Sequence, residues 1–408
     1  MEAVDAGTPV SRRFMSGYTV AQVGAFIAFL PLLSILLPLK AQSLDPAGRA
    51  VLLSQIALWG AVAAGVGNIT AGYLSDATSG RLGRRRPWII GGALATALAN
   101  GLIFWAPTPA MLLAAVVFFQ VALNIMFSPL NALLPDRVPN HQKGLVSALM
   151  GLGHPAASLF TALVIGVLLI APGSRFLAVS VTILALVLPF AIGLREPPPR
   201  TRTAAAWSLS LGPLADRDFR MAFLSRLFVQ VTITLNMLYL LFFLEDGTDV
   251  GVRFPGVRTE VILGWLLVAS TLASLTVGFA GGLLSDRLKR RKPFVIVGGL
   301  LMAMGTALLV SVPQWPGTLV AQVLFGAGLG LYSTVDIALV AQILPRQENA
   351  GRDLGVMNLA ITLPQVAAPL LGMAIMSTAG GRLSWIFAAS TIFALTGAVM
   401  VAGIRRAD

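Results

Sequence analysis

Gly72-Tyr-Leu-Ser-Asp76 and, after a short insertion, Gly83-Arg84-Arg85-Arg86-Pro87 stand between two long apolar runs. A second copy, Gly282-Leu-Leu-Ser-Asp286 followed by Arg290-Arg291-Lys292-Pro293, begins 210 residues later. Each copy leads into a similar apolar stretch, Trp88-Ile-Ile-Gly-Gly92 in the first and Phe294-Val-Ile-Val-Gly-Gly299 in the second. An acid-then-base loop recurring at half the chain length marks an internal duplication, and the two halves are expected to share one architecture.

Composition says what kind of architecture. Of 408 residues, 56% are hydrophobic and only 11% charged, with mean hydropathy +0.83. A soluble domain carries about 25% charged residues. Apolar segments recur, each long enough to cross the roughly 30 Å hydrocarbon layer as a helix. The chain has no Cys, so it has neither disulfides nor a thiol metal site. Its net charge of +12 is of the sign that nucleic acid attracts, but the basic residues sit at helix ends, where they orient a chain in a membrane; no nucleic-acid partner is expected. The first apolar run, 14–39, is too long for a cleavable leader and lacks a small-residue cleavage site.

Hydropathy predicts an all-α membrane protein of about twelve transmembrane helices in two pseudo-symmetric six-helix bundles. The first six helices are predicted near 14–39, 49–75, 88–106, 109–134, 144–171 and 174–194. The second six are predicted near 220–244, 259–284, 294–312, 316–344, 354–378 and 382–404. The domains are then 1–194, a charged linker at 195–218 containing Glu196-Pro-Pro-Pro-Arg200, and 219–408. With a cytoplasmic N-terminus, 22 of the 29 Lys and Arg residues fall at cytoplasmic ends, so both termini are placed in the cytoplasm.

Two six-helix halves, a repeated acid–base loop after the second helix of each and a charged central linker resemble the major facilitator superfamily, over essentially the whole chain. Its loop pattern, Gly-x-x-x-Asp-Arg-x-Gly-Arg-Arg, is matched by Gly72, Asp76, Gly83, Arg84 and Arg85 with an insertion. In the second copy Gly282, Asp286, Arg287, Arg290 and Arg291 match, with Lys289 where Gly is expected. The longer form, from Ser75-Asp76-x-Thr78-Ser79 to Leu82-Gly83-Arg84-Arg85-Arg86-Pro87, is similar to a narrower branch. That branch holds sucrose/proton symporters and bacterial relatives of the glycoside–pentoside–hexuronide symporters. The stretches Asp218–Arg226 and Asp353–Gln365 are similar to the bacterial members. The resemblance implies that helices 1, 4, 7 and 10 line a central cavity and that the loops gate it. Helix 4 has no buried acid, although the plant symporters are expected to use one there. Physically, Asp76 can cap a neighbouring helix N-terminus or pair with the Arg cluster, latching one of two arrangements of the halves; the alternative is a topogenic charge cluster.

Of the 17 acids, 16 fall at termini, loops or helix ends; the exception is Asp336 in helix 10. An ionisable group at mid-membrane is costly, which makes Asp336 a candidate proton carrier, or else a structural node paired with a base from helix 7 or 11. Arg226, early in helix 7, and His154, in Gly151-Leu-Gly153-His154-Pro155 of helix 5, are further proton-coupling candidates; a snorkelling Arg and an interior structural His are the alternatives. Helical spacing aligns neutral polar groups: Gln120, Asn124 and Asn131 in helix 4; Thr232, Asn236 and Tyr239 in helix 7; Gln322, Ser333 and Asp336 in helix 10, with Tyr332 one turn before Asp336; Asn358, Thr362 and Gln365 in helix 11. Amides and hydroxyls converging near the bilayer midplane suit a sugar, with Tyr239, Tyr332 and Phe127 available to stack on it; interhelical bonding is the competing reading.

The expected function is secondary active transport by alternating access across the cytoplasmic membrane, with proton-coupled symport of a sugar or glycoside as the leading reading. A proton-antiport exporter of drugs or metabolites is the alternative. No P-loop, Rossmann glycine pattern, catalytic triad or metal-ligand spacing occurs in the sequence. The chain is therefore read as a non-enzyme without cofactor or metal, partnered by a solute, H⁺ and the bilayer, and functional as a monomer.

Overall fold

The computed structural model describes residues 9–78, 80, 82–194, 196, 212–343, 350–378 and 380–405. These residues form helices and turns with no strand, and 12 of the helices are long and apolar enough to cross a membrane. They are α1 (Arg12–Leu44), α2 (Arg49–Ala77), α3 (Arg86–Trp105), α4 (Pro109–Arg137), α5 (His141–Leu168) and α6 (Pro172–Gly193). The second set is α7 (Arg217–Asp246), α8 (Thr259–Leu288), α9 (Lys292–Ser311), α10 (Gly317–Ile343), α11 (Ala350–Thr378) and α12 (Ser384–Ala402). Hydrocarbon has no water to satisfy open peptide groups, so helices, which bond their own backbone, are what such apolar segments must form.

Local chemistry sets the ends. Ser11 caps α1 by accepting from the Phe14 amide at 3.2 Å, and Thr108 caps α4 by accepting from Met111 at 3.3 Å. Asp216 accepts from the Asp218 and Phe219 amides at the start of α7. Pro87, Pro109, Pro172 and Pro293 sit in first turns, where a missing N–H costs nothing. Interior prolines act differently: after Pro31, α1 widens into a π-helical turn at Leu32–Leu36, and α5 breaks at Leu152 before Pro155. In places the helices run further than hydropathy predicts. α7 starts at Arg217 rather than 220 and ends at Asp246 rather than 244, because Asp216 caps it and terminal charges extend it into the interface.

Contacts divide the chain into two units: Met1–Asp45 with Trp59–Thr203, and Pro46–Leu58 with Ala204–Asp408. The start of α2 thus belongs to the second unit. Of the linker predicted at 195–218, Arg195 and 197–211 lie outside the described residues. The duplication is visible in which helices touch. In the first unit α3 packs on α4 and α6, and α1 on α5 and α6; in the second α9 packs on α10 and α12, and α7 on α11 and α12. Equivalent glycines make one of these approaches possible: a Cβ on Gly92 would strike the Met126 backbone of α4, and one on Gly298 the Tyr332 backbone of α10.

This packing gives a test. Overpacking a close approach costs about 1–3 kcal/mol. Gly92→Leu is expected to lower the melting temperature of the purified protein by several degrees. Gly91→Leu, whose Cβ meets nothing within 4 Å, is expected to leave it unchanged. Equal melting temperatures for the two would rule out the close approach.

Candidate functional site

The repeated loop is the most elaborate polar structure in the first unit. Arg85 is buried, 5% exposed, although it lies in an interhelical loop. Its guanidinium reaches Asp76 at 2.5 Å, Asp136 at 3.0 Å and the Ser75 hydroxyl at 2.5 Å. Arg84 shares Asp136 at 2.6 Å and lies 3.8 Å from Asp76. Asp136 comes from the last turn of α4, so the cluster ties α2, the loop and α4 together. A planar donor fork among several carboxylates is the geometry that Arg supplies and Lys cannot.

Of the two roles open to Asp76 on sequence grounds, the geometry has the ion pair. The cap belongs to Glu196. Its carboxylate accepts from the Arg84 amide at 2.7 Å, Arg85 at 2.9 Å and Arg86 at 2.6 Å, the orphan donors at the start of α3. Gly83 permits this: its φ is +93°, and a Cβ there would overlap Glu196. Gly72 lets α2 approach Ser128 of α4.

The second copy is looser. Arg291 lies 3.9 Å from an exposed Asp286, Ser285 donates to the Arg290 carbonyl, and Lys292 donates to the Ile404 carbonyl at the end of α12. Lys289 takes the left-handed conformation, φ 53°. Gly282 faces Thr334 of α10, while Arg287 and Arg290 are exposed.

Within the first unit, the predicted polar residues meet as amide pairs. Gln22 donates to Asn131 at 2.9 Å, joining α1 to α4, and Asn68 donates to Asn124 at 3.1 Å, joining α2 to α4. Gln120 is buried beside Gly60, and its carbonyl accepts from Asn124. Tyr18, fully buried, donates to the Leu130 carbonyl at 2.9 Å. His154 is exposed, with its ring edge-on to Phe26, which also meets Phe127.

In the second unit, Asp336 pairs with Arg226, the Nε–Oδ2 separation being 2.7 Å, which joins α10 to α7. Beside the pair, the buried Tyr332 and Ser225 hydroxyls close no hydrogen bond of good geometry. Asn236 and Gln322 exchange amide contacts at 3.2 and 3.4 Å between α7 and α10. Thr232 turns instead to the Ser390 carbonyl of α12, and Tyr239, fully buried, meets the Ser54 hydroxyl at 2.5 Å. The polar stripe on α7 thus fans out to three neighbours. Ser333 is exposed while Asp336 is buried; in α11 Asn358 and Thr362 are exposed and Gln365 is half-buried.

Sequence reasoning missed five participants. Glu196 and Asp136 stand at the predicted cytoplasmic ends of α6 and α4, level with the Arg cluster, and that shared level was the available signal. At the opposite end, Arg49 pairs with Glu245 and Asp246 and lies over the Phe242 ring, 4.7 Å from its centroid. Their common level was again the clue. No group of three or more His, Cys, Asp or Glu residues arranged to hold a metal occurs among the described residues.

The model for the Major Facilitator Superfamily matches residues 14–251 and 247–408. The chain belongs to that family. It is a transport protein rather than an enzyme. Among curated relatives, an uncharacterized MFS-type transporter of Schizosaccharomyces pombe is 28% identical over 115 residues, 28% of this chain and 25% of that protein. The vesicular acetylcholine transporter of Homo sapiens is 27% identical over 148 residues, 36% of this chain and 28% of that protein. The matches thus span little more than a quarter of those relatives. Among solved structures, a D-xylose-proton symporter aligns over 98% of this chain and 99% of that one, with TM-score 0.71 and 15% identity. A POT family transporter in complex with 5-aminolevulinic acid aligns over 97% of each, with TM-score 0.76 and 12% identity. At such identities the likeness is one of fold.

The cap on α3 is directly testable. Losing a helix N-terminal cap costs about 1 kcal/mol. Glu196→Ala is expected to lower the melting temperature and slow transport, and Glu196→Gln, which keeps one acceptor oxygen, to do less of both. A Glu196→Ala protein matching wild type in both measurements would show that the cap is dispensable.

Proposed function

We propose that this transporter is a proton-coupled symporter of a sugar or glycoside working by alternating access in a cell membrane, with kinship to the sucrose/proton and glycoside–pentoside–hexuronide symporters. The ion pair between half-buried Arg226 and buried Asp336 is the observation that carries the reading. Protonating Asp336 removes the charge that holds Arg226. Removing one partner of a buried pair costs about 3–5 kcal/mol, enough to shift a two-state equilibrium decisively. Proton arrival at one residue then changes how α7 and α10 are held. The Tyr332 and Ser225 hydroxyls beside the pair are groups through which a proton or a solute hydroxyl could connect.

The solute class follows from the charge balance of the polar groups. Asn131, Asn124, Gln120, Asn236, Gln322 and Gln365 offer amides; the buried carboxylate of α10 is already matched by an arginine. Such a set suits a neutral, hydroxyl-rich solute better than a cation. The sequence likeness to a vesicular acetylcholine transporter favours a second reading, proton antiport of an amine or other metabolite. His154, exposed on α5, and the loop residues Asp76, Arg84 and Arg85 are assigned to proton movement and gating respectively. A single chain holds both repeats and is proposed to work as a monomer.

Two measurements decide. In proteoliposomes, Asp336→Asn is expected to abolish uphill, proton-driven uptake while sparing solute counterflow; full concentrative uptake by this variant would remove Asp336 from the coupling mechanism. In a thermal-shift screen of the purified wild type, pentoses, hexoses and glycosides are expected to raise the melting temperature. Stabilisation by amines alone would favour the antiport reading.

A further inference from the structure

An apolar groove of about 550 Å³ opens on the surface of the second unit. One wall is α8, through Thr276, Ala280 and Leu284; the other is α9, through Phe294 and Val297; Leu331 of α10 forms the floor. It exists because α8 carries small residues there: Gly281 has no Cβ, and one would strike Leu331. The volume falls in the range of sites that hold small organic ligands, about 300–1,000 Å³. The flanking side chains, Phe279, Leu283, Leu284 and Val297, are exposed and apolar, as on a lipid-facing surface.

The groove runs into the repeated loop. Ala280, Leu284 and Arg287 recur on one face of α8, so Arg287 continues the groove wall one turn towards the side that the charge distribution makes cytoplasmic. The chain then turns at Lys289 and Arg290 before Phe294 begins the opposite wall. Arg287, Lys289 and Arg290 are all exposed, and among the described residues none of them pairs with a carboxylate; Asp286 sits nearest Arg291. In the first copy, by contrast, Arg84 and Arg85 are held by Asp76 and Asp136. The second copy therefore presents three unspent cations at the mouth of an apolar slot.

We propose that this groove binds a phospholipid with an anionic headgroup, its acyl chain lying between α8 and α9 and its phosphate on Arg287, Lys289 and Arg290. Apolar slot and basic mouth match the two ends of such a molecule, and basic pockets between helices at this level of the membrane hold acidic lipids. Zwitterionic lipids with the same chains carry the phosphate too, but also a cationic group that the three basic side chains disfavour. This site is separate from Asp336 and does not depend on the solute or coupling ion proposed above.

Native mass spectrometry of the purified protein tests it, using phosphatidylglycerol and phosphatidylcholine of identical acyl chains. Wild type is expected to retain one phosphatidylglycerol in preference to phosphatidylcholine. The triple variant Arg287→Gln, Lys289→Gln, Arg290→Gln is expected to lose about tenfold or more of that preference. Ala280→Phe, which fills the groove at an exposed position, is expected to lose retention with all three cations intact, and Arg287→Lys to keep it. Equal retention of the two lipids by wild type would overturn the proposal. So would loss in the triple variant without loss in Ala280→Phe, which would place the headgroup on a general basic surface. Displacement of the bound lipid by free glycerol phosphate at matching concentration would overturn it as well, since the acyl chain would then contribute nothing. Melting temperatures measured without lipid identify any variant that has merely unfolded, and the remaining variant then decides.

Discussion

A charge inside hydrocarbon, or at its edge, must find a partner or leave, and the polar architecture of this transporter follows from that requirement. Three arginines meet it in the same way, each by holding a carboxylate that belongs to another helix. Arg85 holds Asp76 and Asp136, Arg226 holds Asp336, and Arg49 holds Glu245 and Asp246. Because partners come from different helices, every neutralised charge is also a tie between helices. In a protein whose apolar surfaces gain nothing by leaving lipid for one another, such ties carry much of the specificity of packing.

Neutral polar groups obey a softer version of the rule. Gln22 with Asn131, Asn68 with Asn124, and Asn236 with Gln322 satisfy one another across helix pairs. Interhelical bonds of this kind are worth on average about 0.6 kcal/mol. A solute hydroxyl offered in exchange would cost little to accept. Interhelical bonding and the proposed solute binding are therefore compatible for these residues. Tyr239 stands apart, since its ring is fully buried and its hydroxyl is taken by Ser54.

Helix number, helix type and the duplication were legible from hydropathy and from two short motifs, because the bilayer leaves an apolar chain few alternatives. Helix ends were less legible. Asp216 begins α7 three residues before the predicted start, and the two acids at its far end turn out to bind Arg49. Among site residues, Asp336 stood out because it is the lone acid within a span, and its predicted alternatives included a base on helix 7. What could not be read was direction around the helix. Spacing placed Thr232, Asn236 and Tyr239 on one face, yet that face borders three neighbours and each side chain serves a different one. Glu196 was read as linker, because a sequence gives no distance between a residue after the sixth helix and the amides that open the third.

The two loop copies separate what the motif does by shape from what it does by charge. Gly83 and Lys289 occupy equivalent places, each 4 residues before the proline of the next helix, and both adopt positive φ, 93° and 53°. A lysine there carries a strain of about 1 kcal/mol that glycine avoids, so the turn is kept even where its residue is unfavourable. The carboxylates are not kept: the first copy gathers Asp76, Asp136 and Glu196 around its arginines, whereas the second leaves Arg287, Lys289 and Arg290 facing outward. Turn geometry is therefore the part of the motif that the fold requires, since it ends one helix and starts the next within a few residues. Charge pairing is the part free to diverge, which is why one copy ties helices together within its own unit while the other leaves its cations exposed.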